Sequence, residues 1–368
     1  MKYLSEFRDK KPAMALAECL SGLAQQRASY QLMEFCGGHT HTISAFGLID
    51  LLPSNIHLIH GPGCPVCVLP VGRIDAAIEL ALKPQVILAT YADTLRIPAS
   101  KGQTLLKAKA LGADIRMVFS VEDALQMARK NPQHQVVFFA IGFETTTPPT
   151  AVAILTAKRE SISNFSVFCN HVLTPVAMRA ILDSSQRVPL DGFIGPAHVS
   201  TIIGSRPYET FATVYKKPVV IAGFEPLDVL LAIKMLITQI NEGRAEVENE
   251  FTRAVSSEGN SKAQALVNDV FQLRPTFEWR GLQELADSAL QIREKYQEFD
   301  AEFRFTVSHH TVPDHKACEC AQILRGLKKP QQCRVFATAC TPEHPLGACM
   351  VSSEGACAAY YLYGRHRS

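Results

Sequence analysis

Gln135-Val136-Val137-Phe138-Phe139-Ala140-Ile141-Gly142 is an apolar run of strand length that ends in glycine and leads straight into Phe143-Glu144-Thr145-Thr146. A strand covered by helices on both faces reads this way, because no wet face remains to impose polar alternation. The same signature recurs as QLMEF (31–35), IHLIH (56–60), QVILAT (85–90), IRMVFS (115–120), SVFC (166–169), GFIG (192–195) and PVVIAG (218–223). Helical spacing fills the intervals at 74–82, 104–111, 121–129, 152–159 and 176–182, and Pro148 and Pro149 suit a helix start, where a missing donor costs nothing. The class expected is α/β with parallel sheets.

Eight such strands could form one sheet, but AIGFETT (140–146) is echoed by IAGFEPL (221–227), which points to a duplicated unit. The expectation is two similar parallel-sheet α/β domains, 28–140 and 141–240, with a third domain built from 1–27 and 241–368. Helical stretches are expected at 263–271 and 282–299.

A chain of 368 residues exceeds what one core organises. Its 47% apolar and 20% charged residues describe a folded globular protein, and a net charge of +2 without a basic stripe argues against nucleic acid as a partner. The first fifteen residues lack the apolar core of a signal peptide and no later stretch could span a bilayer, so a cytoplasmic location and no membrane partner are expected. Eleven cysteines in such a chain stay reduced, and their clustering points to metal or redox chemistry. Cys19 and Cys169 stand apart and read as small apolar side chains.

The residues that directly follow the expected strands matter most, because the carboxyl ends of parallel strands form the ligand crevice. In Cys36-Gly37-Gly38-His39-Thr40-His41 the cysteine stands where a strand turns into a helix, and two glycines permit a sharp bend. A helix N-terminus lowers a thiol's pKa, so a reactive thiolate is expected at Cys36. His39 or His41 could hydrogen-bond an anion, shuttle a proton or bind metal through neutral imidazole. A phosphate loop fits less well, since no lysine follows the glycines; the plain alternative is a glycine turn with a buried cysteine and surface histidines.

Gly61-Pro62-Gly63-Cys64-Pro65-Val66-Cys67 sets a C-x-x-C pair on a rigid turn, close enough for both sulfurs to meet as a disulfide or at one metal. Pro65 fixes its own φ and biases Cys64 towards extended geometry. With Cys36 nearby and His39 as a fourth ligand, Cys36, Cys64 and Cys67 could hold zinc or, through soft thiolates, iron.

The tail carries Cys318, Cys320, Cys333, Cys340, Cys349 and Cys357. Four thiolates would hold a [4Fe–4S] cluster, and 12, 6 and 16 residues separate Cys320, Cys333, Cys340 and Cys357. Spacing alone does not separate iron–sulfur from zinc, and Cys318 and Cys349 are surplus. Glu144, His171, His198, Glu225 and Asp228 also sit at expected strand ends, where a cap or a satisfied polar group is the commoner role.

CGGHTH, GPGCPVCVLPVGRID, GFETT, GFEPLD and CMVSSEGACAAYY, in this order and at these distances, resemble the HypD family of hydrogenase maturation factors across essentially the full chain. The resemblance implies three α/β-type domains and an assembly scaffold with redox activity rather than a conventional turnover enzyme. It implies pairing with a HypC-type chaperone, an Fe(CN)2CO group held during assembly, cyanide from the HypE/HypF system, and onward transfer to the hydrogenase large subunit. By matching motif positions, Cys36 with His39 resembles the iron-holding site, Cys64 and Cys67 the redox pair, and Glu144 a residue lining the same cleft. Cys320, Cys333, Cys340 and Cys357 resemble the ligands of a [4Fe–4S] cluster. Ala197, Ala321 and Gln322 depart from the glycine, glycine and glutamate expected of the family. Two rival readings are a cluster-dependent thiol–disulfide oxidoreductase acting on a protein partner and a zinc-bearing interaction module.

Overall fold

The computed structural model describes residues 5–186, 188–308 and 310–364. Eleven strands occur among them: β1 (Tyr30–Glu34), β2 (Ile56–His60), β3 (Val86–Thr90), β4 (Ile115–Met117), β5 (Gln135–Gly142), β6 (Phe165–His171), β7 (Gly192–Pro196), β8 (Val219–Ala222), β9 (Val247–Asn249), β10 (Phe271–Trp279) and β11 (Gln283–Ile292). Two parallel sheets result, in the orders β2-β1-β7-β8-β9 and β4-β3-β5-β6, so the α/β class holds.

Counted within each sheet, the first runs 2-1-3-4-5 and the second 2-1-3-4, so the two units wind alike over their first four strands. The division is not the contiguous one expected at residue 140. β1 and β2 complete their sheet with β7, β8 and β9, and the second sheet, β3 to β6, is inserted between. A two-stranded piece is marginal by itself, so the early strands gain from the later ones. The echoed phrases follow β5, third in its sheet, and β8, fourth in its own. Shared winding, not the echo, is therefore what relates the sheets.

β5 shows why the apolar runs are continuous. Val136, Phe138 and Ala140 enter one core while Val137, Phe139 and Ile141 enter another, as the two-residue period of a strand dictates. The second of these cores also receives Met33 of β1, Phe193 of β7 and Ile221 of β8, so one face of each sheet meets the other in common. Seven cysteines lie in that shared core: Cys64, Cys67, Cys320, Cys333, Cys340, Cys349 and Cys357.

The helix expected at 263–271 is present as Ser261–Val270, but 282–299 is not helical throughout. β10 and β11 form an antiparallel hairpin there, and only Glu294–Phe299 coils, as a 3-10 segment. Glu-Leu-Ala-Asp-Ser-Ala-Leu is rich in helix formers, yet the segment pairs with β10 and lies beside β6 at the edge of its sheet: Cys169 Sγ of β6 donates to the Leu290 carbonyl at 3.4 Å, and Leu173 N–H just beyond β6 donates to the Ser288 carbonyl at 2.9 Å. Tertiary contact outweighs propensities of a few tenths of a kcal/mol per residue. No helix among the described residues is long and apolar enough to cross a membrane.

Candidate functional site

Each sheet has a point between its first and third strands where the chain connections diverge and a crevice opens. In one sheet that point lies between β1 and β7, and Cys36 stands just beyond β1. In the other it lies between β3 and β5, and Glu144 stands just beyond β5.

Cys36 is the N-cap of the helix Gly37–Ala45, extended at φ −152° and ψ 129°, and its carbonyl accepts from His39 and Thr40 N–H at 3.0 and 3.2 Å. Gly37 and Gly38 are helical residues rather than a bend; what their positions demand is small size. A Cβ at Gly37 would lie 2.5 Å from Cβ of Glu354, and one at Gly38 2.6 Å from the Phe224 ring. Gly63 is closer still to the site, since a Cβ there would lie 2.6 Å from Cys36 Cα, and its carbonyl accepts Gly37 N–H at 3.2 Å. The C-x-x-C loop therefore rests on the Cys36 turn. Backbone contact brings the two cysteine motifs together.

The thiolate expected at Cys36 is not what its surroundings favour. Burial pushes the thiol well above its ordinary range, Glu354 and then Glu34 add to this, and only the Gly38 and His39 N–H groups oppose it. A helix end is worth roughly 0.3–1 kcal/mol, under one pKa unit, whereas full burial can shift a group by about 3 to 5 units. Cys36 is therefore favoured as the neutral thiol.

Glu34, the last residue of β1, is fully buried beneath this cysteine. Its carboxylate accepts the Cys36 N–H at 3.1 Å, the Thr40 hydroxyl, and a hydrogen bond from His60 Nδ1 at 2.6 Å. His39 Nε2 faces two carbonyls, Ala222 at 2.9 Å and Gly223 at 3.0 Å, which fixes the proton on that nitrogen. Burial lowers its pKa, the ring stacks on Phe224, and Nδ1 is left as a buried lone pair without a partner. His41 is a partly buried residue whose ring meets Tyr363 edge-on.

Cys64 and Cys67 form a disulfide with Cα atoms 5.2 Å apart. Cys64 adopts the extended geometry that Pro65 imposes, φ −110° and ψ 119°, ahead of the short helix Pro65–Val68. It lines a 390 Å³ cleft between the carboxyl ends of the two sheets, with Tyr91, Asp93, Phe119, Ile141, Thr146 and Glu354, whereas Cys67 is fully buried. Glu144 does not line this cleft. Its carboxylate turns to the N-terminus of the helix Thr174–Asp183, accepting Thr174 N–H at 2.8 Å and the Thr174 hydroxyl at 2.9 Å, and burial raises its pKa to about 7. His171 is a satisfied core residue, 3.0 Å from the Thr150 hydroxyl, with a pKa lowered by burial to about 4. Glu225 pairs with Arg8, Asp228 with Arg253, and His198 lies against Phe224.

Cys318, Cys320, Cys333, Cys340, Cys349 and Cys357 line one small cavity, closed by Ile323, Val335, Phe336 and Met350. Cys320 is joined to Cys349 as a disulfide, Cα atoms 6.3 Å apart, which leaves Cys318, Cys333, Cys340 and Cys357 as the free thiols. The expected set Cys320, Cys333, Cys340 and Cys357 thus shares its cavity with Cys318 and Cys349, and the pairing of Cys320 leaves Cys318 as the fourth free thiol beside Cys333, Cys340 and Cys357. The four fit a polynuclear metal group. Burial first, then Cys318, Cys340 and Cys333, raise the Cys357 thiol, and that crowding of would-be anions in an apolar box is what a cationic iron–sulfur core neutralises. No three His, Cys, Asp or Glu side chains among the described residues converge on a single ion, but a four-iron core offers each sulfur a different iron and asks for wider spacing. Helix Pro65–Val68 packs on Ala348–Met350, which holds Cys349, and helix Gly37–Ala45 packs on Ala356–Ala359, which holds Cys357.

Sequence reading missed Glu34, Thr40, His60 and Glu354. The available signal was Glu34 itself, a carboxylate inside the apolar run QLMEF, and Glu354 inside SSEGAC. Residues 11–364 match the HypD family model, described as hydrogenase formation hypA family. The chain is 61% identical over 372 residues to the hydrogenase maturation factor HypD of Cupriavidus necator, covering 100% of this chain and 98% of that one. Similarity extends to HypD of Rhodobacter capsulatus at 51% and of Escherichia coli at 44%, each covering the whole of both chains. This chain belongs to the HypD family of hydrogenase maturation factors.

Proposed function

We propose that this chain is the cytoplasmic scaffold on which the Fe(CN)2CO group of a [NiFe]-hydrogenase is assembled, together with a HypC-type chaperone and with cyanide from a HypE-type donor. The hydrogenase large subunit then receives the finished unit indirectly. The observation that carries this reading is that the Cys36 turn rests against the loop of the Cys64–Cys67 disulfide, and that this disulfide shares one core with a cysteine-lined cavity.

The cargo is low-spin iron bearing cyanide and carbon monoxide, a soft centre that thiolate binds well. Cys36 gives up its proton on binding and supplies that thiolate, while the Gly38 and His39 N–H groups steady the sulfur's charge. His39, held neutral with a free Nδ1, offers a lone pair to the iron or accepts a hydrogen bond beside it. A cysteine of the chaperone supplies a second thiolate.

Cys318, Cys333, Cys340 and Cys357 would hold a [4Fe–4S] cluster, which supplies electrons one at a time. Opening the Cys64–Cys67 bond takes two electrons and two protons and yields two thiols, so its reduction proceeds in two steps. The Cys320–Cys349 disulfide walls the cavity and touches the Cys64–Cys67 helix through Ala348–Met350, which suits it to an intermediate two-electron store.

Anaerobic Cys36→Ala protein with its chaperone should lack the infrared bands of metal-bound cyanide and carbonyl while keeping its cluster; intact bands would refute the role of Cys36. Cys318→Ser should lower iron and acid-labile sulfide, and Cys320→Ser should leave both unchanged. The opposite pattern would restore Cys320 as a ligand. The place of Cys64 on the wall of the cleft favours a second reading, a thiol–disulfide oxidoreductase acting on a protein, in which wild-type complex shows no such infrared bands at all.

A further inference from the structure

A groove of 520 Å³ runs along β2, the edge strand of the first sheet, and reaches back over the sheet to Gln31 of β1. The Asn55 carbonyl accepts Tyr30 N–H at 2.8 Å and Gly61 N–H donates to the Glu34 carbonyl at 2.9 Å, so residues 57 and 59 bond β1 as well. The alternation of a parallel ladder then turns the N–H and C=O groups of Leu58 and His60 into the groove. Walls rise on both faces of the sheet: Leu52 and Leu58 on one, Ile59, Val188 and Lys329 on the other, where a Cβ at Gly326 would collide with Ile59. Lys329 and His57 line the groove without an acidic partner among the described residues, Lys328 lines it while paired with Glu319 and His60 while bonded to Glu34, and no aspartate or glutamate lines the groove itself.

We propose that this edge is a docking site for an extended, carboxylate-bearing segment of a protein partner, which adds as a further strand beside β2. Main-chain bonds to Leu58 and His60 give the segment its register, alternate apolar side chains meet the Leu52–Leu58 wall, and its carboxylates meet the lysines. The inference is independent of the iron chemistry. A strand held here ends beside Gly61, at the start of the C-x-x-C loop, so docking brings the partner's continuing chain to the thiol site.

The test is amide hydrogen exchange on the full chain with a blocked octapeptide of alternating valine and glutamate. Exchange at Leu58 and His60 should slow by about tenfold or more, and the same peptide with lysine for glutamate should bind about fivefold more weakly. Absence of binding at millimolar peptide, binding that leaves these two amides unprotected, or equal affinity for the lysine peptide would each overturn the proposal. Leu58→Pro removes one outward donor at an edge position where proline is tolerated. It should abolish peptide binding, at some cost in melting temperature because the Leu58 side chain also packs on the core, and wild-type affinity in that variant would also overturn the proposal; should it fail to fold, the wild-type exchange data decide alone.

Discussion

The two sheets wind alike, yet their equivalent crevices have different fates. Beyond β1, Cys36 is overlain by a loop from another part of the chain, flanked by Glu34 and Glu354, and backed by a histidine with a free lone pair. At the other crevice Glu144 stands on the opposite flank, beyond the third strand β5, and the Thr174 N–H and hydroxyl engage its carboxylate. A doubly wound sheet offers a place for chemistry; what the neighbouring segments leave unpaired decides whether chemistry occurs there.

The largest effect should come from crowding the first crevice. Gly63→Ala sets a methyl group against the Cys36 backbone, which cannot move aside as a side chain would, and should cost about 3 kcal/mol or more by urea unfolding. A loss under about 1 kcal/mol would mean that the C-x-x-C loop lifts freely off the Cys36 turn. Truncation in the second crevice should be milder and purely structural. Glu144→Ala leaves two buried donors unmet and should cost about 1–3 kcal/mol, with the cyanide and carbonyl bands per folded molecule unchanged. Lost bands in a stable variant would dissolve the contrast between the sheets.

The last effect is in pH dependence. With its pKa raised from 4.5 to about 7, Glu144 is protonated in the folded chain where the unfolded chain has already lost the proton. Its contribution to stability is complete below pH 4.5 and declines as pH rises to about 7, by ~3 kcal/mol. His171, lowered to about 4, acts in the opposite sense over part of the same window, because there the unfolded chain binds the extra proton. Glu144→Gln should therefore differ from wild type by a decline confined to pH 4.5–7 in denaturant titrations. A difference constant across that range would refute the raised pKa.

Much of the fold was legible. Buried strands write themselves as apolar runs because both faces are dry, and all eight runs became parallel strands. The hairpin was not legible, since Leu285–Ile292 carries helix-forming residues and becomes a strand by pairing with β10 and packing beside β6. At the site, residue types and spacing picked out Cys36, Cys64, Cys67 and the cysteine tail. Environment was out of reach: the same helix end that should ionise Cys36 lies under two carboxylates and out of water, and Glu144 faces a helix instead of the cleft.

The sequence by itself determined which side chains carry sulfur and where strands stop and turn, because those are properties of residue type and local period. Only the tertiary structure decided that Cys320 pairs with Cys349, that β1 and β2 find their partners beyond residue 190, and that Cys36 holds its proton. Pairing, burial and the fields of distant carboxylates arise between segments far apart in the chain, and no local pattern records them.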